Sequence, residues 1–168
     1  MLVSNIASWV DPFILMATGQ RRIRFLVERR IYNIRWLNWF FRLMQMVPVS
    51  GRDNPEQIKN ALRRAREIIE AEGLVCVFAE GAVSLTGKIG KFKKECEQII
   101  AGTGLPVVPV YIGGTWGSIF SYYKGKPLSA RPSRIPYKVS VEFGQQMSDN
   151  TSAEEVREQI VKFSKGIK

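Results

Sequence analysis

The sequence predicts an α/β fold in which helices flank a mostly parallel central sheet. Residues 74–78 and 107–112 are continuous apolar runs, which are typical of strands covered on both faces. Residues 55–72 carry apolar side chains at helical spacing, and Gly73 supplies the stop. Because strands and helices alternate along the chain, we expect a sheet with helices on its faces.

The elements of the first half follow from apolar runs and stop signals. The predicted strands here are residues 2–4, 23–27 and 47–50. The predicted helices are residues 11–19, opened by Asp11-Pro12, and residues 30–46, stopped by Pro48.

The second half is assigned in the same way. Helix 55–72 and strand 74–78 lead into a Gly- and Lys-rich loop, 80–91, and a helix that ends at Ile100. Strand 107–112 is buried, and the alternating residues 137–143 predict an edge or flanking strand. Ser152 is expected to cap a final helix, 153–163.

Composition narrows the function classes. The 168 residues, 45% of them hydrophobic, predict one domain spanning 1–168 that is excised from or related to a longer protein. The net charge of +10 predicts an anionic partner: nucleic acid, a phospholipid surface or a phosphorylated substrate. The chain has no histidine, which excludes a histidine base or ligand, and we expect no metal. Two cysteines without metal-ligand spacing favour a reducing environment.

Residues 4–11, Ser-Asn-Ile-Ala-Ser-Trp-Val-Asp, form a polar cluster where a strand meets a helix. Ligands of α/β proteins prefer that end of the sheet. The alternative for Asp11 is an ordinary helix cap, which spacing alone favours.

Residues 77–87, Val-Phe-Ala-Glu-Gly-Ala-Val-Ser-Leu-Thr-Gly, place one carboxylate and one hydroxyl in a glycine-containing turn. Four lysines follow: Lys88, Lys91, Lys93 and Lys94. Backbone N–H groups and lysines in such a loop can hold a phosphate, although a solvated loop with a basic edge is an equal alternative. The spacing excludes a Walker A loop.

These blocks resemble the glycerolipid (lysophospholipid) acyltransferases. That family has Asn-His, four residues and Asp; then Phe-Pro-Glu-Gly with Ser and Gly downstream; then a Val-Pro-Val strand. Here the matching residues are Asn5, Ile6, Asp11, Phe78, Glu80, Gly81, Ser84, Gly87 and residues 108–110. A weaker block, an apolar strand followed by an arginine, matches residues 47–52. The resemblance implies a glycerol-3-phosphate acyltransferase-like fold.

One branch of the family is more similar still. Residues 78–84, 92–94, 115–120 and 134–137 resemble the acyltransferase domain of bacterial proteins that fuse it to an acyl-carrier-protein synthetase and reacylate lysophospholipids. The resemblance implies acyl transfer from an acyl carrier protein or coenzyme A thioester to a lysophospholipid or glycerol-phosphate hydroxyl, with no cofactor.

The resemblance also implies residue roles. The family's histidine is the general base and the aspartate orients it; here Ile6 stands at the histidine position and Asp11 is retained. We therefore expect impaired activity, or a catalytically inactive lipid-binding or scaffold module, with Asp11 as the candidate substitute base. The substrate-binding residues implied are Asn5, Ser8, Arg52, Glu80, Gly81, Ser84, Gly87 and Lys91. Alternatively, Arg52 is a surface charge beside Asp53, and Glu80 caps the backbone that follows it.

Residues 29–46 mix arginines with Trp36, Trp39, Phe40 and Phe41, a combination suited to a phospholipid interface, although any one aromatic is as readily core. Residues 118–123 add an aromatic patch that could line an acyl-chain groove. With a lipid substrate, these features predict peripheral association with the cytoplasmic face of the inner membrane. The sequence carries no nucleic-acid-binding motif, so nucleic acid is not an expected partner.

Overall fold

Strands and helices alternate in the computed structural model, which describes residues 1–19, 21–127 and 137–166. The strands are β1 (Leu2–Ser4), β2 (Ile23–Glu28), β3 (Val47–Val49), β4 (Leu74–Phe78), β5 (Val108–Gly113) and β6 (Ser140–Phe143). The helices are α1 (Asp11–Thr18), α2 (Arg29–Tyr32), α3 (Arg35–Leu43), α4 (Pro55–Glu70), α5 (Glu95–Ile100) and α6 (Ala153–Gly166). Part of the arginine-containing block predicted at 134–137 lies outside the described residues.

The six strands form one sheet in the order β3-β2-β4-β1-β5-β6. All neighbours are parallel except β5 and β6, so β6 is the antiparallel edge strand that its alternating sequence predicts. In β1, Ser4 is in register with Phe78 of β4 and Val110 of β5. The carboxyl ends of the central strands therefore meet at one edge of the sheet. The predicted α/β fold is confirmed.

Side chains of successive strand residues enter two separate cores because they alternate between the faces of the sheet. One core contains Val3, Val75 and Val77 with the apolar faces of α4, α5 and α6. The other contains Phe25 and Cys76 with side chains from α1 and from the segment around α3. Both cysteines are buried free thiols, and burial raises the pKa of Cys96 to about 11. The central strands are covered on both faces, as their continuous apolar sequences predict.

The prediction of one continuous helix over residues 30–46 is wrong. α2 ends at Tyr32 and α3 begins at Arg35, with Ile34 in an extended conformation between them. The Asn38 side chain donates a hydrogen bond to the Tyr32 carbonyl, which satisfies the end of α2 inside the break. The apolar pattern runs through the interruption, so periodicity alone could not locate it.

Side chains cap two helix starts, of which the one at Ser152 is predicted from the sequence. Asn54 and Gln57 form a reciprocal capping box at the start of α4. At α6, the Ser152 hydroxyl accepts the Glu155 N–H, and the Glu155 carboxylate accepts the Ser152 N–H. Within the described part of the chain, no helix combines the length and apolar character needed to cross a bilayer.

Candidate active site

The predicted site residues lie in four connections that each follow a parallel strand. Asn5 to Asp11 follow β1, Arg52 follows β3, and residues 79–94 follow β4. Residues 114–121 follow β5. Because these strands are parallel members of one sheet, their connections lie at its carboxyl edge, where ligands of α/β proteins bind.

Asp11 is fully buried, and its carboxylate holds the preceding loop. Its Oδ2 accepts hydrogen bonds from the N–H groups of Ala7 at 2.7 Å and Ser8 at 3.0 Å. The helix-cap interpretation of Asp11 is wrong, because Val10 is the N-cap residue and the accepted N–H groups precede the helix. Burial raises the pKa of Asp11 to about 6, against the opposing effect of the Ala7 N–H.

The other carboxylate oxygen of Asp11 lies beside the hydroxyl of Thr115. This contact lowers the Asp11 pKa, but its geometry falls short of a hydrogen bond. Among the described residues, Asp11 Oδ1 and Thr115 Oγ1 are thus two buried oxygens without a hydrogen-bond partner. Buried oxygens normally have one, so this corner of the site is incomplete.

Ile6 lies where the family pattern has its histidine. Its side chain lines a cavity and is 9% exposed. Its backbone is fixed on both sides: the N–H donates to Glu80 Oε1 at 3.0 Å, and the carbonyl accepts the Ser84 N–H at 3.0 Å. The position is well ordered by hydrogen bonds, but its side chain is hydrocarbon and cannot accept a proton.

Glu80 joins two loops of the site. Oε1 accepts the Ile6 N–H, and Oε2 accepts the Gly90 N–H at 2.9 Å. Arg157 of α6 donates to the Gly90 carbonyl at 2.6 Å and supports the same turn. Burial raises the pKa of Glu80, and the positive charge of Arg157 opposes that rise. Glu80 does not cap the backbone that directly follows it; it holds residue 6 against the loop after β4.

The turn after Glu80 is shaped by Ser84 and two glycines. The Ser84 hydroxyl accepts the Gly87 N–H and donates to the Lys88 carbonyl, so it closes the turn on itself. Gly87 has φ +73°, and a Cβ there would lie 2.5 Å from Trp116. Gly81 has φ +72°, and a Cβ there would lie 2.5 Å from Lys93 Cε. Both positions favour glycine by conformation, and at position 87 the Trp116 ring also leaves no space for a Cβ.

Arg52 lines the cavity at the end of β3. Asp53 pairs instead with Arg29, through two hydrogen bonds of 2.8 Å, and this pairing lowers the Asp53 pKa. The Arg52 guanidinium makes no hydrogen bond or ion pair with the residues that the structure describes. Arg52 is exposed, so a phosphate contact and the alternative of a surface charge beside Asp53 both stay predictions.

The lysines of the loop divide into two groups. Lys93 lines the cavity, and its Nζ would lie 2.6 Å from a Cβ at Gly81 and 3.9 Å from one at Gly51. Lys91, which the sequence analysis selects, is exposed and is not a lining residue. Phe92 between them is buried, which anchors this segment to the core. Lys93 is a functional candidate that the sequence analysis did not select.

Asn5 and Ser8 are buried, with partners inside the protein. The Asn5 amide bonds both the N–H and the carbonyl of Ile112, at 2.9 and 3.0 Å, and so links β1 to β5. The Ser8 hydroxyl lies 3.4 Å from that of Ser118. Neither residue lines the cavity. They support the loop that carries Ile6 and Asp11, and substrate contact by either stays a prediction.

The cavity has a volume of about 720 Å³ and a mostly apolar wall. Aromatic and aliphatic side chains from α1, β2 and the α2–α3 segment form its wall, including Phe25, Phe40 and Phe41. Arg30, Arg52 and Lys93 bring positive charge to it, and Glu28 and Glu95 bring negative charge. Tyr122 represents the predicted 118–123 patch in the wall. This volume is typical of small-molecule pockets.

The fold and these strand-end connections define an acyltransferase-like α/β protein. The acyltransferase family model matches residues 1–113, and the chain belongs to this family. Among solved structures, the chain is similar to the 1-acyl-sn-glycerophosphate acyltransferase of Thermotoga maritima. The TM-score is 0.71 at 27% identity, covering 98% of this chain and 63% of that chain.

Two relatives show the extent of the similarity. A chloroplast 1-acyl-sn-glycerol-3-phosphate acyltransferase of Brassica napus is 35% identical over 113 residues, which are 67% of this chain and 32% of that protein. A probable 1-acyl-sn-glycerol-3-phosphate acyltransferase of Mycoplasma pneumoniae is 27% identical over 150 residues, which cover 85% of this chain and 54% of that protein. The chain thus spans between a third and about half of these relatives.

Proposed function

We propose that this chain is a glycerolipid O-acyltransferase domain that retains its substrate-binding groups and has lost its general base. One observation carries the proposal: a largely apolar cavity at the carboxyl edge of the sheet is lined by Ile6, Arg52 and Lys93. Hydrocarbon wall and free cations in one cavity suit an amphiphile with an acyl chain and a phosphate. The relatives, named as 1-acyl-sn-glycerol-3-phosphate acyltransferases, support the same class.

The acceptor phosphate is assigned to Arg52 and Lys93. Arginine offers a planar set of donors that matches phosphate oxygens, and lysine adds a mobile point charge. The Arg29–Asp53 pair and the hydrogen bond from the Ser50 N–H to Asp53 hold the loop that carries Arg52. No acidic side chain among the described residues forms an ion pair with Arg52, so its guanidinium is available to a phosphate.

The reaction is attack of an acceptor hydroxyl oxygen on the carbonyl carbon of an acyl thioester. A new ester bond forms, the carbon–sulfur bond breaks, the thiolate leaves, and the hydroxyl proton passes to a base. Ile6 removes the group that should take this proton, and a positioned base contributes about 10²–10⁴-fold in rate. The donor we propose is acyl carrier protein or coenzyme A, because both supply a thioester.

Asp11 is the remaining candidate base. Its pKa of about 6 is closer to neutral pH than that of an ordinary carboxyl. However, Asp11 is fully buried and does not line the cavity, so it would act on the acceptor only through an intervening water. We therefore propose low residual activity for the chain as it stands.

A second candidate function rests on Ile6 alone. With hydrocarbon at the base position, the same cavity would bind a lysophospholipid without transferring an acyl group. The domain would then be a lipid-binding or scaffold module. Both candidates share the cavity and cations, and they differ only in whether chemistry follows binding.

The proposed setting is a peripheral one at the cytoplasmic face of the inner membrane, where lysophospholipid and acyl donor meet. The acceptor lysophosphatidylethanolamine is taken from the resemblance to the fused bacterial branch. Lysophosphatidic acid is taken from the named relatives. Both acceptors carry the phosphate that Arg52 and Lys93 would contact.

The deciding experiment measures acyl transfer from acyl-carrier-protein thioester to each lysolipid, comparing the chain with its Ile6→His and Ile6→Asn variants. Histidine supplies a base at the position where the family pattern has one, so a gain of about 10²–10⁴-fold is expected for Ile6→His. Asparagine adds polarity without a usable base and is expected to give no gain.

Equal gains with asparagine would refute the base assignment. Full activity of the unchanged chain would show that another group carries the proton. If a folded Ile6→His variant binds lysolipid but transfers no acyl group, the binding-module function replaces the enzyme.

A further inference from the structure

We propose that Arg157 of α6 is a positioning residue for residue 6, the position of the base. It acts through two intermediate groups, the Gly90 backbone and the Glu80 carboxylate. The inference deepens the proposed function and rests on it for the role of residue 6. Arg157 lies outside residues 1–113, the stretch matched by the family model, and does not line the cavity. Its effect therefore reaches residue 6 only through other groups.

An unbroken path of hydrogen bonds joins Arg157 to residue 6. The Arg157 Nε donates to the Gly90 carbonyl at 2.6 Å, and a second guanidinium nitrogen donates to the Ile89 carbonyl at 3.5 Å. The Gly90 N–H donates to Glu80 Oε2 at 2.9 Å, and the Ile6 N–H donates to Glu80 Oε1 at 3.0 Å. Each carboxylate oxygen thus accepts from a different loop, which fixes the orientation of Glu80.

Close packing makes this path stiff at Gly90. A Cβ at position 90 would lie 3.0 Å from Glu80 Oε2, so the turn lies directly against the carboxylate. Glycine is the residue that lets a backbone approach another group this closely. Because there is no gap between the two groups, a shift of the turn moves Glu80. The N–H of residue 6, which Glu80 holds, moves with it.

α6 holds Arg157 in place at the other end of the path. The Ala153 N–H at the start of the helix donates to Glu97 Oε1 at 2.7 Å, and Val156 is buried in the core that α6 shares with α4 and α5. The Arg157 guanidinium also donates to Glu154 at 2.8 Å, three residues earlier on the same helix. The backbone and the side chain of Arg157 are therefore both fixed before the guanidinium meets the turn.

The charge of Arg157 adds a second effect on Glu80. Burial raises the Glu80 pKa, and the positive charge of Arg157 opposes that rise. On the side of α1, Glu80 faces the carboxylate of Asp11, whose pKa its negative charge raises, and Lys93 lies against the neighbouring Gly81. A protonated carboxyl carries an O–H on one oxygen and accepts poorly there. Arg157 thus favours the ionised form of Glu80, which holds both loops.

The alternative is that Arg157 only fastens α6 to the loop. Arg66 of α4 provides a matched control, because its guanidinium makes the same two kinds of contact without touching the path. It pairs with Glu70 at 2.9 Å and donates to the Ala101 carbonyl at 2.8 Å. A fastening role predicts that both arginines act through global stability alone. A positioning role predicts that only Arg157 changes the environment of residue 6.

The first test measures hydrogen exchange of the residue 6 amide by NMR, in the full chain at pH 7 and without substrate. Arg157→Gln is compared with Arg66→Gln, and each rate is taken relative to the slowest amides of the central strand β4, which report global opening. We expect relative exchange about 10-fold faster in Arg157→Gln, since this change weakens a hydrogen bond to a charged group. Arg66→Gln should change it less than about twofold, and Arg157→Lys, which keeps a charged donor, should recover part of the loss.

The second test measures acyl transfer to lysophosphatidic acid in the Ile6→His background. Adding Arg157→Gln should lower kcat about 10-fold and leave KM within about twofold, because a displaced base slows the chemical step. The proposed phosphate groups, Arg52 and Lys93, lie outside the path and keep their contacts. Once Glu80→Gln is present, adding Arg157→Gln should lower kcat little further, since Arg157 acts through Glu80.

The results that would overturn the proposal are unchanged relative exchange in Arg157→Gln, an equal change in Arg66→Gln, additive losses with Glu80→Gln, or a rise in KM at constant kcat. The exchange test needs no catalysis, so the two proposals fail in distinguishable ways. If exchange follows Arg157 but the Ile6→His variant transfers no acyl group, the positioning of residue 6 stands and the enzyme fails. If that variant is active and exchange ignores Arg157, the enzyme stands and the positioning role is wrong.

Discussion

The surroundings of Asp11 and the mouth of the cavity belong to the same edge of the sheet, but they present charge differently. Asp11 is buried, and one of its oxygens accepts two backbone N–H groups while the other has no partner in the described part of the chain. Arg52 and Lys93 are exposed, and neither side chain forms an ion pair with an acidic residue in the described part of the chain. In the first region, the isoleucine at position 6 supplies no polar group that could accept a proton. The second is open to an anion.

The difference separates binding from proton transfer. The Arg29–Asp53 pair fixes the loop that carries Arg52, and the loop after β4 is tied to the backbone N–H and carbonyl of residue 6, which any side chain at that position retains. The orphaned oxygen of Asp11 lies in the interior, where an uncompensated charge is costly. Loss of the base should therefore leave substrate binding intact. The buried carboxylate of Asp11 instead lowers the free energy of unfolding.

The largest expected effect comes from Asp11→Asn, which removes that buried charge. Asp11 changes from a pKa of 3.8 when unfolded to about 6 when folded. Its folded form thus binds a proton more tightly, and wild-type stability falls as pH rises from about 4 to about 6. The variant lacks this fall, so its stability relative to wild type should rise by about 2 kcal/mol between pH 4.5 and 7.5.

Urea unfolding at both pH values measures this difference. The control is Asp149→Asn, because the Gly104 N–H lowers the Asp149 pKa, so this carboxylate stays ionised in both states and its difference from wild type should be constant between the two pH values. A constant difference between Asp11→Asn and wild type across this pH range would show that the buried carboxylate carries no such cost.

The next largest effect is expected at the mouth. Arg52→Ala and Lys93→Ala should each weaken lysophosphatidic acid binding about 10- to 100-fold, since hydrogen bonds to charged groups contribute about 1.5–3 kcal/mol. Lys91→Ala is the matched control, because Lys91 is an exposed lysine of the same loop outside the cavity. Isothermal titration measures all three, and a larger loss for Lys91→Ala would return the phosphate site to the residue that the sequence selects.

The smallest effect lies away from both regions. Glu72 follows α4 with φ +59°, a conformation that favours glycine, and its N–H bonds the Ile69 carbonyl. Glu72→Gly should raise the free energy of unfolding by about 0.5–1 kcal/mol, whereas Glu72→Ala keeps the strain and should not. Lysolipid binding should be unchanged in both, and any change would mean that the mouth responds to global stability.

The sequence predicts the sheet well because its signals are local. Residues 74–78 are apolar without interruption since both faces are covered, and the edge strand alternates since one face is not. The break at Asn33–Ile34 carries no glycine or proline, so nothing local reveals it. Lys93 rather than Lys91 lines the cavity because its side chain lies against Gly81, a contact between residues twelve apart that has no local signal. The contact from Arg157 to Gly90 joins residues 67 apart and has no local signal at all.

Gly81 constrains how this sequence can change. A Cβ at position 81 would occupy the space of the Lys93 side chain, so any larger residue there requires that side chain to move. The two positions are twelve residues apart, yet their substitutions are coupled: a variant at 81 should lose little more when Lys93 is also truncated. Mutational tolerance at the motif glycine thus depends on a lysine outside the motif.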